Sequence, residues 1–475
     1  MTRPARALDD ARSDGPARDT DDAARETAGA ARDPVGPGSR PLADPPTARV
    51  AALLERRLEA GGRFFAAEAD RTAALCHRMA ERFARGGRLV ALGRSAAARS
   101  DARHVAVEFV HPVIVGKRAL PALGLAAEGG PLDLQADLLL EPDDIVIGFG
   151  LDGSRDEDAE RQPTDADAHG TLRAGQAADA AETRRALDIA TGRGCLAIDY
   201  GGGDAEWSFG VPSSDPFVRQ EIAETHYHLL WELVHVFFEH RGLLEGRTAR
   251  TPHDPGDSRF LYPFLGERES DLDAVLGDVR ASVVMKAEEV DALRRQTLED
   301  GAGTLVAAAA DLRDRFERGA TLLAFGNGGS ATDAMDVVAD LRLPPHGWPS
   351  RPALDLTADS AILSAIANDI GTDALFSRQI IAYGREGDVA LALSTSGDSR
   401  NVIRALEEAR KRGLSTLAFV GYDGGRVAAE GLADHIVVTR SEHIPRIQEA
   451  QASAVHVLRE LVEREADPAV RGERS

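Results

Sequence analysis

The chain of 475 residues has little of several features that mark particular protein classes. Its two cysteines, Cys76 and Cys195, lie far apart and in no metal-ligand spacing, which argues against a disulfide framework and a cysteine zinc site. It has no run of about 18 uninterrupted apolar residues and no signal-peptide apolar region, so we expect a cytoplasmic protein without a membrane partner. The net charge of −22 argues against nucleic acid as a partner, because binding a phosphate backbone requires a basic face.

Large apolar side chains are also scarce in several long segments, and these segments divide the chain. They cannot offset the entropy of ordering by burial, so we expect tails, insertions or linkers there. The predicted organisation is a disordered tail over 1–46, an N-terminal domain over 47–241 with a disordered acidic insertion over 152–182, a linker over 242–268, a C-terminal domain over 269–466 and a disordered tail over 467–475.

The two domains resemble each other in sequence. The matching pieces, in the same order in both, include 82–93 with 315–326, and Gln220 and His228 with Gln448 and His456. Ordered self-similarity of this kind indicates an internal duplication.

What the sequence does contain is two apolar runs that lead into turns rich in Gly, Ser and Thr. The run 321–325 leads into the turn 326–330, and 389–393 leads into 394–399. Such a turn at the start of a helix aims backbone N–H groups at one point, where phosphate is favoured. Because strands alternate with helices, each half is predicted to be α/β: a doubly wound, flavodoxin-like parallel sheet in three layers, flanked by long helices.

The motifs around these turns resemble the sugar isomerase (SIS) family, most of all its sedoheptulose-7-phosphate isomerase branch. The resemblance covers roughly residues 270–464 and includes the motifs 326–330, 367–369, 394–402 and 446–449. It implies SIS-type domains, a phosphorylated sugar as ligand and no nucleotide cofactor. The residues that it implies for substrate binding are Asn327, Gly328, Gly329, Ser330, Asn368, Asp369, Ser394, Thr395, Ser396, Ser399 and Gln448.

Isomerisation of an aldose to a ketose moves a proton between neighbouring carbons through an enediolate, and this step needs a base. The resemblance implies that the base is the Glu of a His-x-x-x-Glu pair. It also implies that a Gln and a His eight residues apart complete the site and can bind zinc. The N-terminal half has both pairs, as His104 with Glu108 and as Gln220 with His228.

The C-terminal half keeps the phosphate turns but only part of this set. It has Gln448 and His456, whereas Asp336 and Asp340 replace the His and the Glu. An aspartate base is one methylene shorter, and a misplacement of about 1 Å costs on the order of 100-fold in rate. The N-terminal half shows the opposite pattern, because its counterpart turns have lost most of their Gly, Ser and Thr residues.

Two interpretations remain open. In one, the halves pack as a pseudo-dimer and Glu108 or His104 completes the C-terminal site; in the other, the N-terminal half is a decayed structural partner.

The predicted activity is isomerisation of sedoheptulose 7-phosphate, with Asp340 or Glu108 as carbon base and His456 as partner acid/base. The alternative is a non-catalytic module that binds a phosphosugar or a protein. We expect a homodimer, which gives a pseudo-tetramer of SIS domains. The ligands expected for zinc are His104, Glu108, Gln220 and His228, or a mixed set.

Overall fold

Each half folds around a five-stranded parallel sheet in a computed structural model that describes residues 45–113, 117–126, 128–151, 168–201, 205–239, 271–345 and 347–463. The strands of the first sheet are Leu89–Leu92 (β1), Ala122–Leu125 (β2), Ile145–Gly148 (β3), Leu196–Asp199 (β4) and Trp207–Ser208 (β5). Those of the second are Leu322–Phe325 (β6), Ala353–Asp355 (β7), Val389–Ser394 (β8), Ser415–Val420 (β9) and His435–Val438 (β10). The order β2-β1-β3-β4-β5 recurs as β7-β6-β8-β9-β10. The predicted doubly wound α/β class is confirmed, and the repeated order agrees with a duplication.

The central strands are short apolar runs because both faces of each sheet are covered. In β6, Leu322 and Ala324 face one core, whereas Leu323 and Phe325 face the other. β1 alternates between two cores in the same way. This period of two is the geometry of a strand buried on both sides.

Helices supply the outer layers and the contact between the halves. Those of the first half are Pro45–Ala84 (α1), Ala96–Val110 (α2), Leu132–Leu139 (α3), Ala168–Gly192 (α4) and Pro216–Glu239 (α5). Those of the second are Leu272–Glu317 (α6), Gly329–Arg342 (α7), Ser360–Asp369 (α8), Leu375–Tyr383 (α9), Arg400–Lys411 (α10), Gly425–Ala429 (α11) and Ile444–Val462 (α12). Within the described ranges, no helix is both long and apolar enough to cross a membrane.

Two long helices join the halves. α1 has 40 residues and α6 has 46, so they extend about 60 and 70 Å at 1.5 Å per residue. The start of α1, at Val50 and Leu54, packs into the core of the C-terminal half. The start of α6, at Val275 and Val279, packs into the core of the N-terminal half. Each half therefore contributes a helix to the other half's core.

The predicted acidic insertion over 152–182 needs a correction. α4 begins at Ala168, so the prediction of disorder is wrong for 168–182. This part is rich in alanine, a strong helix former, and the helix is anchored by the fully buried Ala180 and by Glu182, which accepts from the backbone N of Leu132 over 2.6 Å. The segment 152–167, the tail up to 44, the linker 242–268 and the tail 467–475 lie outside the described residues.

Candidate active site

Two turns at the carboxyl ends of neighbouring strands form a cradle in the C-terminal half. The turn 326–330 leads from β6 into α7, and the turn 394–399 leads from β8 into α10. β6 lies between β7 and β8, so the cradle stands where the strand order reverses, the position at which doubly wound sheets bind ligands. The amides of Asn327 and Asn401 donate to each other across the turns, over 3.0 and 2.8 Å. The cradle thus brings two helix N-termini together, an arrangement that favours an anion.

The N-terminal half reaches this cradle through α2. A Cβ atom placed on Gly329 would lie 1.9 Å from Nε2 of Gln448 and 3.0 Å from Nε2 of His104. One turn before His104, the hydroxyl of Ser100 donates to the carbonyl oxygen of Thr332 on α7 over 2.7 Å. His104 of one half therefore lies directly against the turn 326–330 of the other half.

The polar ends of four almost fully buried side chains meet beside Gly329. We name these residues the cradle cluster: His104, Glu108, His228 and Gln448. Nε2 of His104 lies 3.2 Å from Nε2 of Gln448, 3.3 Å from Nε2 of His228 and 4.0 Å from Oε1 of Glu108. The structure does not bring the expected zinc ligand Gln220 to this cluster. His228 follows Gln220 by eight positions, about 12 Å along α5, so the two side chains belong to different clusters.

Carboxyl groups of the C-terminal half face the remaining ring nitrogens of the two histidines. Nδ1 of His228 is hydrogen-bonded to Oε1 of Glu449 over 2.9 Å. Nδ1 of His104 lies 3.6 Å from Oδ1 of Asp333. Each imidazole of the cradle cluster is therefore supported from the opposite half.

Oxygens without a hydrogen-bond donor lie within the cradle cluster and beside it. Among the described residues, four buried oxygens there have no hydrogen-bond partner: Oε2 of Glu108, Oε1 of Gln448, Oδ2 of Asp333 and Oε1 of Glu224. An unpaired buried acceptor costs about 1–3 kcal/mol, so this environment suits a cation or the hydroxyl groups of a ligand. The donor atoms of His104, Glu108 and His228 lie within 4.8 Å of one another, as do those of His104, Glu224 and Asp333.

Burial also sets the charge of the cradle cluster. It lowers the pKa of His104 well below the ordinary value, and the neighbouring His228 lowers it further. Burial, followed by the charge of Arg446, lowers the pKa of His228 to about 3. Burial, followed by the charges of Glu232 and Glu449, raises the pKa of Glu108 to about 8. Near pH 7 both imidazoles are neutral. The pKa of Glu108 lies close to the working pH, as suits a group that transfers protons.

The duplication produces a second group of side chains, which we name the duplicate cluster: Asp336, Asp340, His456 and Gln220. Nε2 of His456 lies 3.5 Å from Oδ2 of Asp340, and the side chain of Gln220 lies near Asp336 and lowers its pKa, against the larger effect of burial. Nδ1 of His456 is hydrogen-bonded to Oε1 of Glu221 over 2.8 Å. Burial alone would lower the pKa of His456, but Asp340 and Glu221 together outweigh it and raise this pKa to about 10. His456 is therefore a buried cation near pH 7.

Ion pairs tie the duplicate cluster to α1. Nε of Arg57 donates to both oxygens of Glu221 over 3.0 and 3.1 Å, and its Nη2 donates to Oε1 of Glu460 over 3.0 Å. Burial alone would raise the pKa of Glu221, but Arg57 and then His456 lower it to about 2. This network joins residues of both halves, which gives the duplicate cluster a structural role.

The turns of the N-terminal half have been filled by side chains. Ala96 stands where the cradle has Gly329. The buried Leu151 occupies the second turn, and a Cβ atom placed on Gly201 would lie 2.5 Å from Cβ of Leu151. A phosphate that required the open Gly and Ser turns of the cradle would find no equivalent here.

The predicted site residues are divided between these regions. Nine of them line or adjoin the cradle: Asn327, Gly328, Gly329, Ser330, Ser394, Thr395, Ser396, Ser399 and Gln448. Asn368 and Asp369 lie exposed at the end of α8, where Asn368 donates to Asp369 over 2.7 Å. Asp340 follows Ser330 by ten residues on α7, about 15 Å along the helix, and lies with His456 in the duplicate cluster.

Three carboxyl groups at the cradle cluster, Asp333, Glu224 and Glu449, were not predicted. Glu224 had a sequence signal, because it stands four residues after Gln220 and four before His228, on the same face of α5. Asp333 and Glu449 lie within the motifs of the resemblance, but nothing in the sequence shows that they contact histidines of the other half.

Comparisons with known proteins agree with this architecture. A family model described as "SIS domain" matches residues 287–421. The chain is 44% identical over 204 residues to a phosphoheptose isomerase of Chlorobium phaeobacteroides, which covers 42% of this chain and 89% of that protein. It is 39% identical over 198 residues to a phosphoheptose isomerase of Geobacter sulfurreducens, which covers 41% of this chain and 100% of that protein.

A solved structure extends the likeness to both halves. The C-terminal domain of glucosamine-fructose-6-phosphate aminotransferase from Francisella tularensis has a TM-score of 0.52 and 10% sequence identity, over 87% of this chain and 94% of that chain. At this identity the likeness concerns the fold alone. It supports two sheets of the same type within one chain.

Proposed function

Because the chain belongs to the SIS family of phosphosugar isomerases, we propose that it interconverts the aldose and ketose forms of a sugar phosphate at the cradle. The observation that carries this proposal is the approach of His104 and Gln448 to Gly329. It joins the phosphate turns of one half to the acid/base residues of the other. The names of the curated relatives support a heptose phosphate, and we propose sedoheptulose 7-phosphate as the substrate.

In this proposal the cradle holds the phosphate and fixes the distance from it to the reacting carbons. The backbone N–H groups at the starts of α7 and α10 and the hydroxyls of Ser330, Ser394 and Ser396 bind the phosphate oxygens. Anchoring one end of the sugar leaves its carbonyl end to reach the cradle cluster, where orientation lowers the barrier.

Glu108 is the proposed base for the carbon-bound proton. Its carboxylate removes the proton from the carbon beside the carbonyl, which gives an enediolate, and returns it to the neighbouring carbon. His104 and His228 are neutral near pH 7, so either ring can hydrogen-bond to the sugar oxygens. The unpaired oxygens around them can accept hydrogen bonds from the sugar hydroxyls.

The same donor set fits a zinc ion, which we propose as a cofactor. His104, Glu108 and His228 offer two imidazole nitrogens and a carboxylate within 4.8 Å of one another, and Gln448 adds an unpaired amide oxygen. When bound, the ion would polarise the sugar's carbonyl and hydroxyl oxygens. Gln448 thus takes the place that the sequence pattern had assigned to Gln220.

A non-catalytic binding module is a weaker account of this site. That alternative rested on Asp336 and Asp340, which lie in the duplicate cluster rather than at the cradle. The cradle cluster itself retains the His and the Glu of the His-x-x-x-Glu pair.

Exchange of the substrate's carbon-bound proton with solvent, followed by NMR, tests the proposal. The wild type should exchange the proton of sedoheptulose 7-phosphate, and Glu108→Gln should lower the rate about 100- to 10,000-fold, the usual contribution of a general base. Asp340→Asn is the matched control and should stay within about threefold of the wild type. Absence of exchange in the wild type across several sugar phosphates would reject the isomerase.

A further inference from the structure

We propose that Glu449, a residue of the C-terminal half, is a positioning residue that acts through His228 of the N-terminal half. By accepting or donating the hydrogen bond at Nδ1, it holds the imidazole ring with Nε2 directed at His104. This inference rests on the proposed function, because the ring that Glu449 orients belongs to the cradle cluster.

Both oxygens of Glu449 have fixed partners. Oε1 is bonded to Nδ1 of His228 over 2.9 Å, and Oε2 accepts from Nη1 of Arg446 over 2.8 Å. Arg446 also contacts Glu232, which pairs with Lys286 over 2.6 Å. The side chains of His228 and Glu449 are fully buried, so no water replaces these contacts easily. The carboxyl group therefore cannot turn without breaking a buried hydrogen bond.

The orientation of His228 matters because of what its other nitrogen meets. Nε2 lies 3.3 Å from Nε2 of His104, and Glu108 completes the same group of donor atoms. Without a partner at Nδ1 the ring could rotate and carry Nε2 away from this group. A misplacement of about 1 Å in such a site costs on the order of 100-fold in rate, and loss of an outer partner of a liganding histidine typically costs about 10- to 100-fold.

The duplication supplies a matched control within the same chain. Glu221 occupies the position equivalent to Glu449 and bonds Nδ1 of His456 over 2.8 Å. Its other contacts are with Arg57 and Ser453. The two pairs share residue types and geometry, but His456 belongs to the duplicate cluster, away from the cradle.

The experiment compares Glu449→Met and Glu449→Gln with Glu221→Met and Glu221→Gln in the full chain. Methionine keeps the length of the side chain but cannot bond a ring nitrogen, whereas glutamine can. We expect Glu449→Met to lower kcat about 10- to 100-fold with KM within about threefold of the wild type. Glu449→Gln should restore kcat to within about threefold. Glu221→Met should leave kcat within about twofold and lower the thermal midpoint.

A spectroscopic reading separates this inference from the proposed function. In ¹⁵N–¹H NMR spectra of the imidazole rings, Glu449→Met should shift the His228 signals and leave those of His456 in place, with the reverse for Glu221→Met. If the wild type isomerises sugar phosphates but Glu449→Met keeps its kcat within about twofold, the inference is overturned and the function stands. If the wild type has no isomerase activity, unchanged His228 signals would overturn the inference, and the predicted shift would support the contact that it rests on.

Should Glu449→Met fail to fold, Glu449→Asp provides the same test. Aspartate keeps a carboxylate for Arg446 but its shorter arm withdraws from Nδ1 of His228. It should show the same selective loss of kcat. A kcat equal to that of the wild type would reject a positioning role.

Discussion

His228 of the cradle cluster is paired with Glu449, and His456 of the duplicate cluster is paired with the equivalent Glu221, but the two pairs differ in charge. Burial lowers the pKa of His228 to about 3, and burial, partly opposed by Arg446, raises the pKa of Glu449 to about 8. In the other cluster the pKa of His456 is about 10 and that of Glu221 is about 2. One pair is neutral near pH 7 and the other is an ion pair.

The difference arises from the neighbours rather than from the pair itself. Arg57 contacts Glu221 directly and keeps it ionised, and Asp340 adds a second negative charge beside His456. At the cradle, Arg446 is shared between Glu449 and Glu232, so its charge does not outweigh the effect of burial on the pKa of Glu449. A neutral imidazole can accept a proton or bind a metal, whereas a paired imidazolium can do neither. The duplication has left one cluster suited to chemistry and the other to holding the halves together.

Replacing each histidine in turn should give the largest difference between the two clusters. His228→Gln should lower kcat/KM about 100- to 1,000-fold, because it removes a neutral imidazole from the cradle cluster. His456→Gln should leave kcat/KM within about threefold and lower the thermal midpoint, because it leaves Glu221 and Asp340 without their shared cation. Steady-state kinetics and thermal unfolding measure both. Equal losses of activity in two folded variants would contradict the division of roles.

A smaller effect is expected at the turns. Gly329→Ala places a Cβ atom 1.9 Å from Nε2 of Gln448, so Gln448 or the start of α7 must shift. We expect the affinity for the proposed substrate, sedoheptulose 7-phosphate, to fall about 10- to 100-fold, equivalent to displacement of one or two good hydrogen bonds. Isothermal titration calorimetry measures the change.

Ala96→Gly is the counterpart in the N-terminal half. It should leave this affinity within about twofold and cost roughly 0.5–1 kcal/mol of stability, because glycine is more flexible than alanine when unfolded. If both variants weakened binding equally, the N-terminal turn would also take part in ligand binding.

The sequence was sufficient to predict the fold and the cradle because both depend on local patterns. Apolar runs that end in Gly, Ser and Thr turns predict parallel strands and a phosphate site, and β6 and β8 confirm the strands. The assignment of Gln220 to the zinc set was not supported, because helical spacing shows which face two side chains share but not which neighbour each meets. α5 lies at the contact between the halves, and there Gln220 meets Asp336 while His228 meets His104.

The smallest expected effect is a difference between His228 and His456 in how the unfolding free energy depends on pH. The pKa of His456 is raised from 6.5 to about 10 in the folded chain, so its contribution to stability is complete below about pH 6.5 and is lost as the pH rises through about 10. The pKa of His228 is lowered from 6.5 to about 3, so this ring is neutral in the folded chain throughout that range. It contributes a slope only near and below about pH 6.5, where the unfolded chain takes up a proton. We therefore expect the difference in unfolding free energy between wild type and His456→Gln to be largest near pH 6.5 and to shrink toward pH 10. The difference between wild type and His228→Gln should stay nearly constant above about pH 7.5, where this ring is neutral in both the folded and the unfolded chain. Denaturant titrations at a series of pH values measure both differences. A constant difference for His456→Gln would mean that this ring is neutral as well, and the contrast between the clusters would then lie in their position alone.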